Sequence, residues 1–100
     1  MAHSIAPASR AVVSTAHASR YLQQLCKHWS HKMAVSFDTA QGQIAFPLGP
    51  VVLHATDQTL EVVCTPADPA DRAKMQQVIA DHLNRFAFRE GELVFDWSVG

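Results

Sequence analysis

One hundred residues, 48% hydrophobic and 17% charged with a formal net charge of −1, supply enough apolar material for one two-layer core. No apolar run approaches the ~18 residues that span a bilayer, and "MAHSIAPASRAVV" has no basic segment ahead of an apolar one. Neither membrane anchor nor export signal is expected, the chain reads as cytoplasmic, and Cys26 and Cys64, far apart and without a CxxC spacing, read as reduced, buried thiols.

Residues 1–8 read as a loose, proline-containing arm and residues 9–100 as a single α+β domain. "SRAVVST" (Ser9–Thr15) is a β-branched run that predicts a strand. Thr15 can cap a helix running to about Met33, whose apolar stripe is Leu22, Leu25, Cys26, Trp29 and Met33. Arg20, Gln24, Lys27 and His31 fall opposite that stripe, with Tyr21 and His28 on a flank. "AVSFD" and "QIAFP" alternate as a hairpin with Gly42 in its turn. "VVLHATD" and "TLEVVCT" form a second hairpin around Asp57-Gln58, with Leu60, Val62 and Cys64 on one face.

In "TPADPADRAK", Asp68 caps a second helix, Pro69 takes its first position and Asp71 its first turn. Met75, Val78, Ile79, Leu83 and Phe86 form its stripe, and it ends before Gly91. "ELVFDW" closes the chain as a strand with Leu93, Phe95 and Trp97 on one side. The order β-α-β-β-β-α-β, with hairpins bracketed by helices, predicts a two-layer sandwich: both helices on one face of a mainly antiparallel sheet.

Charge is distributed unevenly. No acid occurs before Asp38, while Arg10, Arg20, Lys27 and Lys32 do; all nine acids follow, against Arg72, Lys74, Arg85 and Arg89. That split makes a basic face possible, although halves that lie against each other and neutralise are the simpler expectation. His82 sits in the middle of the second apolar stripe, where a neutral imidazole with one hydrogen-bond partner is expected. His28 and His31, three apart, lack the four-residue spacing of helical zinc sites, and Cys26 points away from them. No GxGxxG, P-loop, GxSxG or carboxylate pair is present, so covalent catalysis and a bound cofactor are not expected. Four cations on one helix, with Trp29 facing inward, are too few for nucleic-acid recognition.

"ASRYLQQLCKHWSHK", the hairpin ending "IAFPLG", and "HLNRFAFREGELVFDW" together resemble a small bacterial family, domain of unknown function 2218, from about Arg10 to Trp97. Ser19, Arg20, Tyr21, Cys26, His28, Trp29, His31 and Lys32 carry the first motif, and His82, Arg85, Phe86, Phe88 and Arg89 the second. The resemblance implies stand-alone proteins of this length, related to segments joined to siderophore-interacting, flavin-dependent ferric reductases, and hence a neighbourhood in iron acquisition. It carries over no catalytic residue.

Three functions follow in order of preference. The first is a binding module in which Arg20, Tyr21, His28, His31, Lys32, His82 and Arg85 form one site for an anionic ligand such as a ferric siderophore. The second is an interaction domain docking on a reductase partner or on a second copy of itself. The third is a metal-dependent enzyme or metal carrier built on His28, His31 and His82.

Overall fold

The computed structural model describes residues 7–99; most of the arm expected over residues 1–8 lies outside the described residues. Strand β1 (Ser9–Ser14) leads into helix α1 (Ala18–Trp29), followed by β2 (Val35–Phe37), β3 (Gln41–Ile44), β4 (Val51–Ala55) and β5 (Thr59–Cys64). Helix α2 (Arg72–Phe86) and a short β6 (Ser98–Val99) complete the order. The α+β class and the succession of strands and helices expected from sequence are present, with the two hairpins contributing four strands between the helices where the expected order counted three. All pairings are antiparallel in a six-stranded sheet of order β2-β3-β4-β5-β1-β6.

One face of this sheet makes the core. Ala11 and Val13, Val51 and Leu53, and Leu60, Val62 and Cys64 alternate inward and are buried. They meet Leu22, Leu25, Cys26 and Trp29 from α1 and Met75, Ile79 and Leu83 from α2 in one cluster, so both helices cover the same side. Both cysteines are free and buried, as expected, and burial raises both thiols, Cys26 to about 11. A thiol reagent at neutral pH should therefore leave both unlabelled in the native protein and label both in urea. Fast native labelling would contradict this packing.

Four local expectations are corrected. Thr15 does not cap α1: its hydroxyl accepts from the His17 backbone N–H at 3.1 Å and donates to Glu90, and His17 stands at the helix start with no side-chain cap. Secondly, α1 stops at Trp29 rather than Met33. The N–H groups of Lys32 and Met33 both donate to the Trp29 carbonyl, at 3.0 Å each, turning the chain so that Val35 can pair with Ile44.

Gly42, third, is not in the hairpin turn but inside β3, buried beneath α1 and opposite Leu53. Asp38 makes the turn: its Oδ1 accepts from the backbone N–H groups of Ala40 and Gln41, each at 2.8 Å, which holds its carboxyl below the usual value. A side chain at Gly42 would place Cβ 2.8 Å from Cys26 Sγ, so glycine here permits the close approach of helix to sheet.

Finally, "ELVFDW" is not a ladder strand. Leu93, Phe95 and Trp97 do turn inward while Val94 and Asp96 face out, but pairing with β1 is confined to Ser9↔Val99 and Arg10↔Ser98. The start of the segment is fastened to α2 instead: Asn84 Oδ1 accepts from the Leu93 N–H at 2.6 Å, just after Gly91 redirects the chain at φ +84°. The second helix starts close to its expected position, with Asp68 Oδ1 accepting from the Ala70 N–H at 2.9 Å ahead of a 3₁₀ turn over Pro69–Asp71. Among the described residues no helix is long and apolar enough to cross a membrane.

Candidate functional site

The residues expected to form one site fall into two groups along the helix pair. The first lies at the start of α1. Tyr21 is only 4% exposed, because its ring joins the core, and its hydroxyl donates to Glu90, which also accepts from Thr15 at 2.8 Å. Burial is the main reason the Tyr21 phenol is pushed up to about 12, with the adjacent carboxylate adding to it. The same hydroxyl bond is the main reason Glu90 is held below its ordinary value.

Around this anchored Glu90 opens a cleft of about 480 Å³ lined by His17, Arg20, Tyr21, Gln24, Phe86, Phe88, Arg89 and Glu90. Phe88 is 71% exposed, and the Arg89 guanidinium carbon lies 5.6 Å from its ring centroid. Two guanidinium groups and an imidazole therefore border a cleft whose carboxylate is already engaged by two hydroxyls. The arrangement offers bidentate donors and an aromatic surface to a planar anion, with no nucleophile or paired general acid and base.

The second group lies at the seam between the far end of α1 and α2. The His28 and His82 rings face each other with centroids 5.4 Å apart, His82 rests 5.1 Å from the Trp29 ring, and His28 lies 6.2 Å from Phe86. His82 is the half-buried imidazole with one partner that its position predicted: its Nδ1–H donates to the Val78 carbonyl at 2.8 Å. Desolvation first, and then His82, Lys32, Arg85 and His31, lower the His28 pKa. His31 and Lys32 lie in the turn beyond α1, both exposed, and not on its helical face.

Arg20 and Tyr21 thus border the cleft, while His28 and His82 meet at the seam, where His31, Lys32 and Arg85 act on His28 through their charge; Phe86 adjoins both. Sequence reasoning placed His17, Phe88, Arg89 and Glu90 in no site. Phe88 and Arg89 stood in the family-like wording, but only the chain reversal after α2 turns them toward Arg20. Among the described residues no group of three or more His, Cys, Asp or Glu is placed to hold a metal, so the His28–His31–His82 triad is not assembled. The expected neutralisation of the two halves is also slight: among the described residues the one salt bridge is Arg10–Glu61, at 3.4 Å.

A family model described as an uncharacterized protein conserved in bacteria, DUF2218, matches residues 10–98. Among solved structures, the NMR structure of PA4090 from Pseudomonas aeruginosa is similar. It is 35% identical, with a TM-score of 0.77, and the match covers 92% of this chain and 95% of that one. No curated protein matches the chain.

Proposed function

The chain belongs to the DUF2218 family of proteins conserved in bacteria, and from that premise we propose that it is a binding module for a planar anionic ligand held in the cleft between the start of α1 and the turn after α2. The observation that carries the reading is the placement of Arg20, Arg89 and His17 around one cleft floored by Tyr21 and Phe86 and flanked by exposed Phe88. Guanidinium groups grip paired oxygens of carboxylate or catecholate, and the exposed ring offers a stacking surface. Aromatic carboxylates and ferric catecholates of the siderophore kind are the ligand class that fits this donor set.

Calorimetry with 2,3-dihydroxybenzoate, its ferric complex and citrate tests the reading. Binding is expected for the aromatic anions, and Arg20→Ala and Arg89→Ala should each weaken it roughly tenfold, the effect of one charged hydrogen-bonding partner. Silence with all three ligands, or affinity unchanged in both variants, would remove it. Docking on a reductase partner is the second reading, motivated by the exposed Phe88 and Val94 in the segment that follows α2. Retention of a reductase by the native protein, lost in Phe88→Ser but kept in Arg20→Ala, would favour that reading over the first.

A further inference from the structure

The seam between α1 and α2 lies outside the cleft, and its chemistry is different. Two imidazoles from separate helices face each other at 5.4 Å between centroids, backed by Trp29 and Phe86. Lys32 and Arg85, both exposed, bear electrostatically on His28, and neither forms a salt bridge among the described residues. His82 is oriented: its Nδ1–H is spent on Val78, so Nε2 is the ring nitrogen left free to meet a ligand.

A cation is poorly served here. The groups that bear on His28 are His31 and Lys32 from the turn after α1 and His82 and Arg85 from α2, and every one is basic. Such surroundings oppose a metal ion and favour an anion, whose charge would offset the burial and the neighbouring positive charges that lower the His28 pKa. We propose that the His28–His82 pair, with Lys32 and Arg85, is a second anion site that takes a compact dianionic oxyanion of the phosphate type and takes up a proton as it does so. The site is independent of the cleft reading, since it shares neither Arg20 nor Arg89 with it.

The inputs are inorganic phosphate and glycerol 2-phosphate, titrated into the full chain at pH 6–7 and constant ionic strength against chloride. Histidine side-chain NMR is read together with calorimetry in two buffers of different ionisation enthalpy. His28 resonances should move toward the protonated form and His82 resonances should shift, with proton uptake on binding once the proton that the phosphate itself sheds in becoming the dianion at this pH is counted. The tighter of the two ligands distinguishes free phosphate from a phosphate monoester as the source. Lys32→Ala and Arg85→Ala should each weaken binding roughly fivefold or more, His28→Gln should abolish the proton uptake, and Arg20→Ala with Arg89→Ala should leave both unchanged. The proposal is overturned if phosphate leaves both histidines unmoved, if its binding is lost in the Arg20/Arg89 variant, or if Zn²⁺ binds the pair while phosphate does not.

Discussion

Gly42→Ala is expected to destabilise the protein by about 1–3 kcal/mol, a typical cost for forcing extra volume into a packed core. In an ordinary strand the same change is mildly favourable, because it reduces the freedom of the unfolded chain. Here the new methyl would sit 2.8 Å from Cys26 Sγ and 3.4 Å from Leu22 Cδ2, both on the buried face of α1. Cys26 is short and enclosed, so relief requires α1 to move off the sheet. The check is a double-mutant cycle in urea. With Cys26→Ala removing the sulfur, Gly42→Ala should become close to neutral, a coupling of about 1–3 kcal/mol. Strictly additive effects would show that helix and sheet do not meet through this pair.

The second large effect concerns the bridge from Tyr21 to Glu90. Tyr21→Phe is expected to cost about 1.5–3 kcal/mol, the range for a hydrogen bond to a charged group, because it unties the turn after α2 from α1. The pH dependence follows from two opposite shifts. Glu90 is held below its ordinary 4.5 when folded, so the unfolded chain binds its proton more readily. The stability it contributes is fully present above 4.5 and is lost as the pH falls through the lower folded value. Tyr21 is raised from 10.0 to about 12, so the folded state holds that proton more tightly and stability declines as the pH rises across that interval. Thermal melts from acid to alkaline pH should show both slopes in the wild type. Tyr21→Phe should reduce the alkaline slope to the part set by the two buried thiols and soften the acid one, and Glu90→Gln should reduce the acid slope. Glu90→Gln should also bind aromatic anions more tightly despite its weaker fold, since it removes the one negative charge bordering the cleft. An acid slope unchanged in Glu90→Gln would show that other carboxylates govern it.

Individual elements show how far local chemistry reaches. The 3.6-residue stripes of Leu22, Leu25, Cys26 and Trp29, and of Met75, Ile79 and Leu83, were legible because periodic burial is written into neighbouring residues. The period-two alternation of Leu60, Val62 and Cys64 was legible for the same reason. Gly42 was misassigned to a turn because glycine marks both turns and close approaches, and only the position of α1 tells them apart. The closing segment kept its alternating burial yet lost its ladder, since Asn84 and the anchored Glu90 hold its start away from the edge of β1.

The amino-acid sequence alone determined the class, the two helices, the hairpins, the inward face of each and the reduced state of both cysteines, because each rests on spacing within a few residues. Tertiary structure decided the strand order, the end of α1 at Trp29 and the division of the basic residues into a cleft and a seam. Those depend on where distant segments meet: Arg89 reaches Arg20 only through the reversal after α2, and His28 faces His82 only because both helices share one face of the sheet.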